Sequence, residues 1–302
     1  MEYVKCNICS KNNTKRLFIA KDRMFDFPKE FVIVKCQNCG LVYLNPRPTK
    51  QEIKKYYPKE YGPYQLPVVK KEREGILGIF QRGWKLQMAR SERLLSLKDL
   101  PKGKALDIGC GAGLNLKRLK EEGWQAYGCD ISLEAVRKAR KLGVKVFKGE
   151  LHKIKFSNKL FDVVIMSHLL EHLHNPLKVL KEICRILKDK GHLVISLPNF
   201  ESSGARLFKQ YWYPLDAPRH LYHFSLKTLE MLLKKTGFEI LKAKYNPQSN
   251  HINITKSLDY LTKKKLSKVF NNKIIQRFFF PLNLFVALLR EGDVITVSCK
   301  KS

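Results

Sequence analysis

"KALDIGCGAGLNLKRLKEEG", Lys104 to Gly123, decides the fold. Its opening residues, Ala105 to Ile108, are apolar around one acid, Asp107. A glycine turn follows, Gly109-Cys-Gly111-Ala-Gly113, and then an amphipathic stretch that stops at Gly123. The pattern predicts a strand, a tight turn and a helix ended by glycine. Such a turn lets backbone approach a ligand closely and aims a helix N-terminus at it. The spacing differs from the G-x-G-x-x-G of dinucleotide binders, because the glycines fall at 109, 111 and 113.

The units alternate outward from there. "QAYGCDIS" predicts a second strand ending at Asp130, and Ser132 is placed to cap the helix "LEAVRKARKLG". "VKVFKGEL" and "FDVVIMSH" predict the third and fourth strands. Asn175 and Pro176 open a helix with Leu177, Leu180, Ile183, Cys184 and Leu187 on its apolar face, and "GHLVISLPN" is the fifth strand. "GFEILKAKYN" and "DVITVSCKK" complete the set as a near-direct antiparallel pair. Strands alternating with helices predict an α/β fold with a doubly wound, mostly parallel seven-stranded sheet.

Asp107 sits badly against a pyrophosphate and suits an ammonium group, whereas Asp130 is placed to accept hydrogen bonds from two ribose hydroxyls. An amino acid joined to a nucleoside is S-adenosylmethionine (SAM). "LDIGCGAG", "GCDIS", "GEL" and "FDVVIMSHLLEHLHNPLKVLKEICRILKDKGHLVISLPN" resemble the class I SAM-dependent methyltransferases, in the small-molecule branch that includes the ubiquinone-type O-methyltransferases. The resemblance covers Lys102 to Asn246 and the final strand. It implies a Rossmann-like methyltransferase with Asp107 and Gly109 near the methionine part, and Gly111 and Gly113 in the same turn. It also implies Asp130 and Ile131 at the ribose, and Glu150 and Leu151 beside the adenine. Ser167 and His168 would face the sulfonium. Many relatives carry an aspartate before the adenine contact, where this chain has Gly149-Glu150.

Open parallel sheets bind ligands outside the carboxyl ends of their strands. Strand four ends in "SHLLEHLHN", and strand five leads to "YPLDAPRHLYHFS", Tyr213 to Ser225. Histidine titrates near neutral pH and suits removal of a hydroxyl proton. The candidate catalytic residues are therefore His168, Glu171, His172, His220 and His223. Glu171 and His172 resemble a Glu-His pair that some ubiquinone-type relatives place around a divalent metal, but His168 stands where those relatives have a carboxylate. The rim stretch resembles one in zinc-ribbon methyltransferases, which implies a substrate side made of Arg219, Tyr213 and Tyr222. Arg219 would hold a phosphate or carboxylate of the acceptor.

Two Cys-x-x-Cys pairs, Cys6/Cys9 and Cys36/Cys39, precede this domain. Each turns two thiolates toward one point, and together they predict a closed, structural Zn2+ site: a small N-terminal zinc ribbon. The expected organisation is a ribbon and connector over residues 1–62, a lid helix region over 63–100, and a methyltransferase domain over 101–302. A helical, basic insert occupies 247–292 of that domain. Between Gln248 and Arg290 it carries eight Lys or Arg and one Asp. Such an insert could lie on an anionic membrane or pack on the domain.

The 302 residues carry a formal charge of +31 with 44% hydrophobic residues. That charge favours polyanions or is a solvated lysine surface. The longest apolar run, Phe278 to Leu289, is broken by Pro281 and Asn283 and is too short to span a bilayer. "MEYVKCNICS" has no apolar core, so the expected location is cytoplasmic, peripheral on the inner membrane surface if the insert binds lipid. The expected activity is methyl transfer from SAM to a hydroxyl of a small-molecule or glycan-type acceptor. The alternatives are an RNA methyltransferase and a SAM-sensing or nucleic-acid-binding module without turnover.

Overall fold

The computed structural model describes residues 1–58, 97, 100–246, 250–272, 275 and 285–302. The lid expected at 63–100 falls outside the described residues except for Leu97 and Leu100.

Two sheets organise the chain. The N-terminal one contains β1 (Thr14–Lys21), β2 (Glu30–Cys36) and β3 (Val42–Leu44). The central one begins with β4 (Lys104–Ile108), β5 (Gln125–Asp130), β6 (Lys145–Lys148) and β7 (Phe161–Ser167). It continues with β8 (Leu187–Pro198), β10 (Phe238–Asn246) and β11 (Val294–Lys301). Its order is β10-β11-β8-β7-β4-β5-β6. β8, β7, β4, β5 and β6 run parallel, and β11 is antiparallel to both of its neighbours. From β4 the chain winds one way through β5 and β6, and from β7 it winds the other way through β8. The switch therefore lies between β4 and β7, where open α/β sheets leave a crevice.

Local chemistry sets the helices around this sheet. Helix α1 spans Leu114–Glu121 and α2 spans Leu133–Arg140. The Ser132 hydroxyl accepts from the Ala135 N–H at 3.2 Å and caps α2. Asn175 caps α4 (Pro176–Ile186) through the Lys178 N–H at 3.0 Å, with Pro176 in the first turn where its missing N–H costs nothing. Between them, α3 (Leu151–Ile154) begins where the third strand was expected to continue. That strand stops at Lys148, and Gly149 turns the chain at φ 137°. The fifth strand starts early, because Leu187 pairs with Phe161 and is fully buried against the sheet. It does not close the helix before it.

β9 (Tyr222–His223) was not visible in the sequence. It lies within the rim stretch, yet pairs with β3 through Val42↔His223 and Tyr43↔Tyr222. The rim is thus the fourth strand of the N-terminal sheet, and one apolar core runs from Ile33 and Leu44 through Leu221 and Phe224 to Leu197.

A buried ion triad joins the same two regions. Arg219 is fully buried. Its Nη1 donates to Asp22 Oδ2 at 2.7 Å and to the Tyr56 carbonyl at 3.1 Å. Its Nη2 donates to Asp22 Oδ1 at 2.9 Å and Asp216 Oδ1 at 2.6 Å, and Nε donates to Asp216 Oδ1 at 2.9 Å. All five guanidinium N–H groups are used. This corrects the substrate role expected of Arg219, since no donor is left for an acceptor's phosphate or carboxylate.

Ser225 caps α6 (Leu226–Lys234) by accepting from the Thr228 N–H at 3.2 Å; in the insert, α7 (Asn250–Leu261) packs against α5 (Ser203–Phe208), and the Tyr213 N–H donates to Ser257 Oγ at 2.9 Å. A short helix, α8 (Ser267–Phe270), follows.

Replacing Arg219 by Met would leave two carboxylates buried without a counter-charge. Unfolding free energy should fall by about 3–5 kcal/mol in urea titrations. Arg219→Lys should recover only part, because an ammonium cannot fork to two carboxylates. A midpoint unmoved by either change would mean that water reaches the triad.

Candidate active site

The cofactor side lies at the ends of β4 and β5. Asp107, 1% exposed, is the next-to-last residue of β4. Asp130 ends β5, where Oδ2 accepts from the Gly111 N–H at 2.9 Å and Oδ1 from the Ser132 N–H at 2.8 Å. Burial raises the Asp130 carboxyl, and these N–H groups oppose the rise. Each oxygen keeps a lone pair for a further donor. Ile131, beside it, is 65% exposed and offers an apolar face. Gly109 has φ 69°, and a Cβ there would come within 3.0 Å of Leu169 Cδ1.

Packing also bears on two cofactor positions. A Cβ on Gly113 would lie 2.7 Å from Ala139 Cβ of α2, so the absence of a side chain lets the turn sit close on that helix. The Leu151 side chain belongs to the core, which leaves only its backbone to meet an adenine. Glu150 is half exposed, with Lys50 at 3.5 Å and His152 at 3.7 Å.

The chemistry gathers at the end of β7. Ile108 and Met166 are in register, so Ser167 and His168 come out beside the glycine turn. His168 follows the strand at φ 50° with its side chain 38% exposed. Its Nδ1 is 3.5 Å from Glu171 Oε1, beyond an ordinary hydrogen bond. Glu171 is 1% exposed, and neither carboxylate oxygen has a hydrogen-bond partner among the described residues. His172 and His220 cross edge to face with centroids 4.5 Å apart. His220 Nε2 lies 3.9 Å from both Glu171 Oε1 and Asp216 Oδ2.

Backbone carbonyls face both imidazoles. His220 Nδ1 is 2.8 Å from the Pro214 carbonyl, and His172 Nδ1 is 3.1 Å from the Arg219 carbonyl. A carbonyl can only accept, so the His220 Nδ1 carries the proton and its Nε2 is bare; His172 Nδ1 also has the Tyr57 hydroxyl at 2.9 Å, which can donate to it or accept from it. Burial pushes His220 well below its ordinary value and lowers His172. Burial works to raise Glu171, but the carboxyl is lowered overall, with the His168 side chain beside it opposing burial. The result is a buried carboxylate beside two neutral imidazoles, with the bare Nε2 of His220 3.9 Å from it. Such a cluster can take a proton from a hydroxyl or hold a cation. The donor atoms of Glu171, His172 and His220 lie within 4.8 Å of one another, a span that also fits a metal ion.

His168, Glu171, His172 and His220 are therefore brought together, but His223 is not part of the cluster. It is buried in β9 against Phe200, with centroids 5.5 Å apart, and burial drives its imidazole down to about 3. The close group of Glu171, His172 and His220 donor atoms does not include it, so the structure lends the catalytic role expected of His223 no support and shows it packed in β9. Tyr222 is corrected too. Its hydroxyl accepts from Arg47 Nη1 at 2.8 Å, and its ring stacks on Phe224, facing the N-terminal sheet. Tyr213 packs on Tyr260 and lines a small cavity with Lys21, Arg23 and Asp216. One site residue was missed: Tyr57, whose hydroxyl is 2.9 Å from His172 Nδ1. Nothing in the proline- and tyrosine-rich connector singled it out.

The four N-terminal thiols converge as expected. Cys6 and Cys39 Sγ are 3.4 Å apart, as are Cys9 and Cys36 Sγ, and all four lie within 4.8 Å. Zn–S bonds of about 2.3 Å in a tetrahedron would set sulfurs about 3.8 Å apart, so the donor set fits Zn2+. Burial raises Cys6 and Cys39. At Cys36 the N–H groups of Cys39 and Asn38 overcome burial and bring the thiol to about 7.

Comparison with known proteins agrees with this geometry. A family profile described as a methyltransferase domain matches residues 80–243. An uncharacterized protein of Methanocaldococcus jannaschii is 30% identical over 171 residues, 56% of this chain and 73% of its own length. The ubiquinone biosynthesis O-methyltransferase of Rickettsia canadensis is 31% identical over 166 residues, 48% of this chain and 66% of that enzyme. Among solved structures, the cyclase SpnF superposes with a TM-score of 0.53 at 19% identity, covering 84% of this chain and 97% of its own. The geranyl diphosphate C-methyltransferase of Streptomyces coelicolor does so with 0.51 at 12% identity, covering 78% and 88%. At these identities the structural matches show the fold alone.

His172, His220 and His223 bind protons more weakly folded than unfolded. Below about pH 6.5 the unfolded imidazoles charge while the folded ones stay neutral. Stability is thus complete above that pH and falls as pH drops, by up to about 1.4 kcal/mol per pH unit for each histidine. For His223 the fall continues to about pH 3. Thermal melts from pH 7.5 to 4.5 should show this decline, and His223→Phe should reduce its slope. An undiminished slope would place His223 in contact with water.

Proposed function

The chain belongs to the methyltransferase-domain family and is a SAM-dependent methyltransferase; on that premise we propose that it methylates a hydroxyl of a small-molecule or glycan-type acceptor. The observation that carries this reading is the cluster of Glu171, His172 and His220 at the open end of β7, in which an unpartnered carboxylate lies beside the bare Nε2 of His220. An alcohol must lose its proton as it gains a methyl group, and a bare Nε2 held toward a buried carboxylate can receive that proton. Glu171 then stabilises the imidazolium that forms. SAM, when bound, supplies an electrophilic methyl on sulfur and leaves as the neutral thioether. Asp130 and Ile131 would hold its ribose and adenosyl end, and Asp107 its ammonium group. The acceptor class is supported by the ubiquinone O-methyltransferase relative and by a rim whose arginine is wholly committed to internal partners. In the ribbon, Zn2+ on Cys6, Cys9, Cys36 and Cys39 would be structural, since four protein ligands leave no open position.

A second reading, methylation of RNA, has one observation in its favour, the +31 charge. Methyl-labelled SAM incubated with the protein and a cell extract separates the two. Label is expected in the small-molecule, glycan or lipid fraction, and label in RNA would overturn the acceptor class. Asp130→Ala should weaken SAM binding tenfold or more by calorimetry, and normal affinity would misplace the ribose. Glu171→Gln should keep SAM affinity and lower turnover by about a hundredfold, and unchanged turnover would remove the cluster from catalysis.

A further inference from the structure

The described part of the insert turns both apolar and cationic side chains to solvent. Within nine residues, Leu261, Leu266 and Val269 are 49, 46 and 43% exposed, and Lys263, Lys264, Lys265 and Lys268 are exposed among them. Farther along, Phe285, Leu288 and Leu289 are 59, 74 and 55% exposed, followed by exposed Arg290. The one acid between Gln248 and Arg290, Asp259, is buried at 4% and accepts from Ser267 Oγ at 2.6 Å. The insert's own exposed charges are therefore all cationic among the described residues, with one neighbouring acid, the exposed Asp26, paired to Lys264. The surface also stands on a fixed base: α7 packs on α5 and on the Tyr213 turn, and Ser267 ties α8 to α7.

Exposed leucines alone would suit many partners, but leucines set among four lysines, of which only Lys264 is ion-paired among the described residues, suit one chemistry in particular. Apolar side chains can enter the acyl boundary while the lysines reach the anionic headgroups. We propose that α7, α8 and the 285–290 turn form a peripheral docking surface for an anionic lipid bilayer. Among the described residues no helix is long and apolar enough to cross a membrane, so the contact is interfacial.

Co-sedimentation of the full chain with vesicles tests this. Vesicles of phosphatidylcholine containing about 30% phosphatidylglycerol should retain the protein in dilute salt, whereas pure phosphatidylcholine should retain little. Lys263→Glu/Lys265→Glu/Lys268→Glu spares Lys264, which pairs with Asp26 at 2.5 Å. It should lower partitioning on the order of tenfold or more. Leu266→Ser/Val269→Ser should lower it as well. Both variants change exposed residues and should keep native SAM affinity, which serves as the folding control. Failure to bind anionic vesicles, equal binding to neutral ones, or variants that bind like the parent would each overturn the proposal. Binding to transfer RNA without vesicle binding would hand the charge to polynucleotides. A concentration-dependent dimer lost in Leu266→Ser/Val269→Ser, again without vesicle binding, would assign the surface to a second copy.

Discussion

A buried cation must be matched, and most of the structure is arranged around matching Arg219. One carboxylate partner is distant in sequence, Asp22 from just after β1, and the other is local, Asp216 from the rim. The cost of desolvating three charges is recovered only if the geometry is complete. Completeness fixes where the N-terminal sheet meets the central one. The residue next to Arg219 is His220, and the Arg219 carbonyl itself meets His172. A structural ion cluster thus fixes the position of the groups proposed to handle the substrate's proton.

The site is accordingly built from both units. β7 supplies His168 and Glu171, the rim supplies His220, and the connector supplies Tyr57. The Pro48 carbonyl meets His174 Nε2 at 3.0 Å, and Arg47 donates to the His174 carbonyl at 3.0 Å. The N-terminal sheet therefore packs directly against the segment that follows β7, and its four cysteines lie in the same unit as the strand that pairs with the rim.

Much of this was legible in the sequence. The glycine turn, the caps at Ser132 and Asn175, and the apolar strands act locally, and each appears where local chemistry predicts it. The cysteines converge because their spacing leaves them little choice. Glu171, His172 and His220 could be picked by residue type alone, since carboxylates and imidazoles at strand ends are uncommon without a task. The structure departs from the expected roles of Arg219 and Tyr222 for one reason. Their partners are distant in sequence, Asp22 by 197 residues and Arg47 by 175, and a local pattern cannot show them. β9 was invisible because two residues have no periodicity; it exists only where β3 is present to pair with it.

That pairing also bears on how the chain is made. β3 and β9 are separated by roughly 180 residues, nearly the whole central domain. A nascent chain emerging from the ribosome can fold β1, β2 and β3 early. The outer edge of that sheet then stays open until residue 223 has been synthesised. Closing a loop of this size raises contact order, and folding slows accordingly. Until then, an unpaired edge strand faces solvent beside the cysteine cluster, the arrangement in which strands pair wrongly. The two units consequently mature together, and neither is a cassette that recombination could exchange intact.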